Sequence, residues 1–280
     1  MNEQAPDHNR QRKAAVINDF SSFGRCSLAV TLPILSALKV QCCSVPTAIF
    51  TNHTGFEHFS WTDYTDHMDA YIRDWQATGL RFDAIATGFL GSARQIDFVR
   101  RFVGAFRTDA TTVVVDPVMG DYGRLYATYD RALAESMREL LDVADVLTPN
   151  LTEACVLAGR DYDPEIADAG LEEICAALTA GRARRVVVSG LARGGNVANF
   201  VYERGRSPEV VSMPRLGGDR SGTGDVFASV IIGELVRGVS FAESVRRAAA
   251  FVSRAVERTI EMGLPATDGL AIEEVLSLLY

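Results

Sequence analysis

The stretch Thr111-Thr112-Val113-Val114-Val115-Asp116-Pro117 decides the fold. Three successive valines leave no polar face, so this strand must be covered on both sides, as in a parallel sheet packed between helices. Outward from it, short β-branched runs alternate with longer amphipathic ones. The predicted strands are Ala14–Ile17, Ser44–Phe50, Ala84–Gly88, Thr112–Asp116, Asp145–Thr148, Arg185–Ser189, Val197–Tyr202 and Glu209–Met213. Between and after them the pattern predicts helices over Ser27–Leu38, Thr65–Thr78, Ala93–Phe106, Arg131–Leu141, Glu165–Ala180, Gly224–Arg237, Phe241–Glu261 and Leu270–Leu279. Such alternation implies an α/β fold: a doubly wound, mainly parallel sheet with helices on both faces and right-handed crossovers. The last two strands lie close together and imply a late antiparallel edge hairpin. No repeat, low-complexity segment or long linker interrupts the chain, so residues 14–280 read as one domain behind a mobile polar tail, Met1–Lys13.

With 280 residues and 48% hydrophobic content, the composition is that of an ordinary globular protein. A net charge of −8 argues against nucleic acid or an anionic membrane as the main partner. It leaves a nucleotide open, because a local nest of backbone amides binds phosphate on an acidic protein. There is no apolar stretch of membrane-spanning length and no hydrophobic signal core. Five cysteines without C-x-x-C spacing point to reduced thiols and a cytoplasmic location, and four histidines without H-E-x-x-H make zinc a poor candidate.

A second segment, Arg215 to Leu235 (RLGGDRSGTGDVFASVIIGEL), places glycines at 217, 218, 222 and 224 just before an apolar helix. Unpaired N–H groups at such a helix start attract anions. Asp225 in the first turn either complements the helix dipole or has a separate chemical task. In an open α/β sheet, ligands sit beyond the carboxyl ends of the strands. The residues there are Asn18-Asp19, Thr51 to Gly55, Gly88-Phe89, Asp116-Pro117 with Gly120-Asp121, Thr148-Pro149-Asn150 with Glu153, and Ser189-Gly190. Each also has a plain explanation. Asp116-Pro117 and Asp121 suit turns, Thr148-Pro149 stops a strand, Asn150 or Thr152 caps a helix, Glu153 complements a dipole, and His53 alone is an ordinary hydrogen-bonded core or surface histidine. Together, Asp116, Asp121 and Glu153 near one anion site suit Mg²⁺. There is no G-x-x-x-x-G-K-[ST], and Phe227 stands at the third position of G-x-G-x-x-G, so neither a P-loop enzyme nor a nicotinamide dehydrogenase fits.

GTGD opening an apolar helix, with DPVMGD (Asp116–Asp121) and TPNLTE (Thr148–Glu153) upstream, resembles the ribokinase-like superfamily of small-molecule kinases. NHTG (Asn52–Gly55) and TGFLGS (Thr87–Ser92) resemble the pyridoxal/pyridoxamine (vitamin B6) kinases, over about Ala14 to Glu261. DFSSFGRCS (Asp19–Ser27) departs from the S-H-V-x-x-G-x-x-G-N opening of those kinases toward the D-x-S-G-G form of hydroxymethylpyrimidine kinases. The resemblance implies an ATP-dependent kinase acting on the hydroxymethyl group of a B6 vitamer. Asp225 would be the base, and Gly222, Thr223 and Gly224 the anion hole. Asp116, Asp121 and Glu153 would hold Mg²⁺. Thr148, Asn150, Glu153, Ser189, Gly190 and Thr223 would face ATP, and Asp116 with Thr148 would seat a monovalent cation such as K⁺. Asp19, Ser21, His53, Thr54 and Phe89 would line the ring pocket, and Tyr126 would belong to a covering flap. It also implies a homodimer. The alternatives are a hydroxymethylpyrimidine or sugar kinase of the same fold, and a non-catalytic vitamin- or nucleotide-binding protein. A complete acidic set with Asp225 intact weighs against the last.

Overall fold

The computed structural model describes residues 7–280. Nine strands form one sheet: β1 (Lys13–Phe23), β2 (Gln41–Asn52), β3 (Trp61–Asp63), β4 (Ala84–Thr87), β5 (Thr112–Val115), β8 (Val146–Leu147), β9 (Arg185–Arg193), β10 (Asn196–Glu203) and β11 (Glu209–Pro214). Their order is β11-β10-β9-β8-β5-β4-β1-β2-β3. The six central strands from β9 to β2 run parallel. At one edge β10 and β11 pair antiparallel, as the spacing implies. The sequence pattern does not disclose a third antiparallel strand, β3, at the opposite edge. A separate two-stranded hairpin, β6 (Gly120–Asp121) with β7 (Arg124–Leu125), stands beyond β5.

Val113, Val114 and Val115 are all within 1% of complete burial. Val113 and Val115 belong to one core and Val114 to the other, so the apolar run is explained by two covered faces. One face carries α2 (Thr65–Thr78), α3 (Ala93–Phe106), α4 (Arg131–Ser136), α5 (Leu151–Ala158) and α6 (Asp168–Leu178). The other carries α1 (Ser27–Ala37), α7 (Thr223–Val236) and α8 (Phe241–Glu261).

Four expectations are corrected. β1 does not stop at Ile17; it leaves β4 there and continues to Phe23 paired with β2 alone. Asn18, Asp19 and Ser21 therefore lie within a strand rather than after one. Leu270–Leu279 is two short 3₁₀ turns, Ile272–Glu274 and Leu276–Leu279, not a helix. Leu270, Ala271 and Ile272 are all buried, but Gly269 at φ +77° and the turn bond from Ile272 N–H to the Leu270 carbonyl break any continuous helix at its start. The helix expected from Arg131 tightens into a 3₁₀ turn after Ser136, and that expected from Glu165 starts at Asp168.

Of the polar N-terminal stretch, residues 1–6 lie outside the described residues. Asn9 bonds to the Gly79 carbonyl and the Arg81 N–H, and Arg12 bonds to the Val236 carbonyl. All five cysteines are free, and among the described residues no helix is long and apolar enough to cross a membrane.

The core beside α3 is aromatic: Phe102 is fully buried and packs against Trp75, Phe82, Phe98 and Phe106, with ring centroids 4.6 to 6.0 Å apart. Removing that ring leaves a cavity among side chains that cannot all collapse into it. Phe102→Ala is expected to lower unfolding free energy by about 3–5 kcal/mol. Urea denaturation followed by circular dichroism checks this, and a loss below ~1 kcal/mol contradicts the packing argument.

Candidate active site

Gly222 caps the N-terminus of α7 with φ +74°. A Cβ there would lie 1.9 Å from the Arg25 carbonyl oxygen, so only glycine lets this backbone reach the β1–α1 connection. The cap makes no side-chain hydrogen bond to the helix end. The first N–H groups of α7 are thus presented to whatever enters the cleft.

Asp225 follows in the first turn. Its Oδ1 accepts from Asn18 Nδ2 at 3.2 Å, across 207 residues of sequence. Burial raises its pKa above the ordinary carboxylate value, while the Ser27 N–H, the Asn18 amide and His53 act against that rise. Asp225 is half-buried at the cleft wall, and the Asn18 side chain is turned to meet its carboxylate, a contact that dipole complementation does not call for.

The cleft beside Asp225 has a volume of about 490 Å³ and opens beyond the carboxyl ends of β5, β8 and β9. Asp116, Asp121, Thr148, Asn150, Glu153, Ser189, Gly190 and Gly222 to Asp225 all line it. The strand-end reading thus brings these residues together. Asp116 Oδ1 accepts from Thr148 Oγ1 at 3.1 Å. Its pKa is pushed well up, first by burial and then by the charge of Asp225.

Glu153 behaves differently. Asn150 and Glu153 form a reciprocal capping box at the start of α5, with Asn150 Oδ1 accepting from Glu153 N at 3.0 Å and Glu153 Oε2 from Asn150 N at 2.9 Å. The second Glu153 oxygen accepts from Met119 N at 3.1 Å. Burial, then Asp116, holds its pKa well above the usual range. Asp121 is exposed on the β6–β7 hairpin, where its Oδ1 accepts from Tyr122 N. Among the described residues no three His, Cys, Asp or Glu side chains are gathered to hold a metal ion. Asp116, Asp121 and Glu153, expected to hold Mg²⁺ with its waters, all line the cleft, but Glu153 accepts from two main-chain N–H groups and Asp121 stands out on the hairpin.

Ser189 and Gly190 lie inside β9, not after it. The two oppose Asn199 alone in β10, which makes a bulge, and Asn199 Oδ1 accepts from Gly190 N at 3.4 Å. Tyr126 lines the cleft and is 42% exposed. Beside it Tyr122 reaches across the mouth, donating from Oη to Asp219 Oδ2 at 2.5 Å, and Asp219 also pairs with Arg215.

The five residues expected around a ring are not part of this cleft's wall. Asp19 is buried: Oδ1 accepts from Ser27 Oγ at 2.6 Å and Oδ2 from Ser21 Oγ at 3.0 Å. His53 is buried with both ring nitrogens committed. Gly55 N–H donates to Nδ1 at 3.0 Å, so Nε2 carries the proton and donates to the Thr267 carbonyl at 2.7 Å. Thr54 is exposed, and Phe89 is half-buried with its ring edge-on to Phe50 and Tyr129. Asn18 and the apolar wall of the cleft (Met213, Phe227, Ala249, Val252, Val256) carried no assigned role in the sequence reading. The wall residues come from β11, α7 and α8, and looked like ordinary core positions.

Residues 32–268 match the phosphomethylpyrimidine kinase family. A pyridoxine/pyridoxal/pyridoxamine kinase of Bordetella bronchiseptica is 29% identical over 260 residues, covering 86% of this chain and 87% of its own. A Bacteroides thetaiotaomicron structure, provisionally named a phosphomethylpyrimidine kinase and solved in a form with pyridoxal, superposes with a TM-score of 0.93 at 37% identity and covers 96% of each chain. Pyridoxal kinase from Lactobacillus plantarum gives 0.89 at 29% identity, again over 96% of each chain.

Asp19 supplies a pH-dependent measurement. Burial, opposed by the serine hydroxyls and reinforced by Asp225, raises its pKa from 3.8 to about 6. A raised acid contributes stability fully below its unfolded value, and that contribution is lost as pH rises through the folded one. Asp19→Asn should therefore gain stability relative to the parent between pH 4 and pH 7, by up to about 3 kcal/mol. Urea midpoints across that range test it; parallel curves contradict it.

Proposed function

The chain belongs to the phosphomethylpyrimidine kinase family, and on that premise we propose that it transfers the γ-phosphoryl group of ATP to the hydroxymethyl group of pyridoxal, pyridoxamine or pyridoxine, giving the 5′-phosphate. The observation that carries this reading is Asp225, half-buried at the cleft wall beside the N-terminus of α7, whose Gly222 cap makes no side-chain hydrogen bond. Relatives named for the three vitamers support the acceptor class.

In this reading the acceptor hydroxyl gives its proton to Asp225 as its oxygen attacks phosphorus and ADP leaves. The N–H groups of Gly222, Thr223 and Gly224 donate to the phosphoryl oxygens as charge builds on them. Thr148, Asn150, Ser189 and Gly190 face the nucleotide phosphates and sugar, Glu153 holds Asn150 in place, and the apolar wall takes the base. The hairpin with Tyr122 and Tyr126 excludes water. Phe89 and Thr54 touch the acceptor ring, while Asp19, Ser21 and His53 support that pocket.

Mg²⁺, when bound, neutralises phosphate charge. Asp116 would fit it as the protein carboxylate: it is half-buried at the cleft wall, among the described residues Thr148 alone donates to it from a side chain, and one carboxylate with phosphate and water oxygens is an ordinary Mg²⁺ set. The exposed Asp121 would add negative charge at the cleft mouth toward the hydrated ion. Asp116 and Thr148 also offer oxygens to K⁺.

A hydroxymethylpyrimidine acceptor is the second reading, favoured by the family match itself. An assay of pyridoxal, pyridoxamine, pyridoxine, hydroxymethylpyrimidine and ribose with ATP and Mg²⁺ separates the two. Asp225→Asn should lower kcat by about 10²–10⁴ while both substrates still bind. Near-normal turnover with a reduced melting temperature would leave Asp225 as a dipole partner only.

The proposed partner is a second copy. Phe23, Ile49, Phe59 and Trp61 are all more than 40% exposed around the β2–β3 edge. Trp61→Lys should shift the protein from dimer toward monomer in light scattering, and an unchanged mass places the contact elsewhere.

A further inference from the structure

Asn18 is 5% exposed, and its side chain makes three hydrogen bonds to three different segments. Its Oδ1 accepts from the N–H of Asp19 at 2.9 Å and from the N–H of Phe89 at 2.7 Å. Backbone N–H groups can only donate, so the amide oxygen must face them. The NH₂ group is thereby forced toward Asp225, with Nδ2 3.2 Å from Oδ1. Gly88 permits this arrangement, because a Cβ there would fall 2.4 Å from the Asn18 amide.

We infer that Asn18 is a positioning residue for the phosphoryl transfer: it fixes the direction of the Asp225 carboxylate, sustains its charge, and ties it to the Phe89 backbone. The inference rests on the reading of Asp225 as the base. The acids around Asp225 make such a donor necessary. Asp19 and Cys26 approach from β1 and α1, Asp116 from the end of β5 and Tyr126 from the hairpin, and none of them favours the ionised form. Opposing them are the Ser27 N–H, the Asn18 amide and His53. Of the two hydrogen-bond donors, the amide alone belongs to a side chain, so it can be removed by substitution. It also links acceptor pocket to base: Phe89 cannot shift without moving the group that orients Asp225.

The test is a double-mutant cycle in steady-state assays with ATP and pyridoxal, with thermal melting of every variant. Asn18→Ser removes the reach of the amide and should lower kcat by about 10- to 100-fold, as for a hydrogen bond to a charged group. The KM for ATP should change by less than about threefold. In an Asp225→Asn background the same substitution should cost less than about threefold, since its target is already gone. Losses that multiply in the double variant overturn the inference and leave Asp225 as the base. Near-normal turnover in Asp225→Asn alone overturns the base reading, and the inference with it. Should Asn18→Ser fail to fold, Asn18→Asp keeps the shape and both acceptor bonds but faces Asp225 with a second carboxyl oxygen. The acid limb of its kcat/KM profile should then move up by about one pH unit or more; a limb that stays in place overturns the inference.

Discussion

The backbone at Arg25 is held between two segments remote in sequence, and the site is built on that clamp. Gly222 presses against the Arg25 carbonyl from one side and Gly269 from the other, where a Cβ would fall 2.6 Å from the same oxygen. Arg25 N–H donates to the Asp268 carbonyl, and its guanidinium pairs with Glu273. This clamp draws the start of α7 onto the start of α1. Asp225 comes within reach of Asn18 and Ser27 as a consequence, and the α7 amides face the cleft rather than a neighbouring side chain. The close approach is a main-chain effect, which is why glycine, and no particular functional group, appears at positions 222 and 269.

The two ends of the sheet treat their acids in opposite ways. At the amino ends of the central strands, Asp145 pairs with Arg107 and Arg182 and accepts from Val113 N–H, and Asp83 accepts from Lys13 N–H. Neither is left enclosed without a donor or a cation. Toward the carboxyl side of the sheet, Asp19 and Glu153 are buried and Asp116 and Asp225 half-buried, and desolvation is the largest influence on each, always upward. Their compensation comes from hydroxyls and N–H groups rather than from arginines. Enclosed acids without cations lower stability, and such an arrangement persists where a reaction needs it.

Much of this was legible in the sequence. The valine run of β5 named a sheet covered on both faces, and the strand–helix alternation gave the parallel order around it. GTGD named the helix start, and the cleft gathers Asp116, Thr148, Asn150, Ser189 and Gly190 as strand-end reasoning expected. What escaped has physical causes. β1 runs six residues past Ile17 through the polar Asn18-Asp19-Phe20-Ser21-Ser22-Phe23 because β2 continues beside it, a tertiary pairing without an apolar signature. Three residues of β3 and a hairpin of two-residue strands are too short to show a period. The sequence offered Glu153 and Asp121 as carboxylates beside an anion site, but not that Glu153 closes a capping box or that Asp121 sits on an exposed hairpin. For Asn18, the signal was only a polar residue in an apolar strand; its partners lie 71 and 207 residues away.

Charge accounting along the cleft connects the fold to the proposed reaction. Its wall holds Asp116, Asp121, Glu153, Asp219 and Asp225, against Arg215 and Arg220. Arg215 is engaged with Asp219, and Arg220 donates to the Leu264 and Pro265 carbonyls. Among the described residues no lysine lines the cleft, so side chains alone cannot offset a nucleotide's phosphates. The α7 amides offer oriented dipoles, not net charge. In the proposed reaction the nucleotide would therefore have to bring its own counter-charge, and a divalent ion beside Asp116 would meet that need while easing the repulsion between Asp116 and Asp225. Under the proposed reaction, binding of the charged substrate and readiness of the base would be one electrostatic event, because a cation beside Asp116 would also favour the ionised form of Asp225, the carboxylate that Asn18 Nδ2 meets at 3.2 Å.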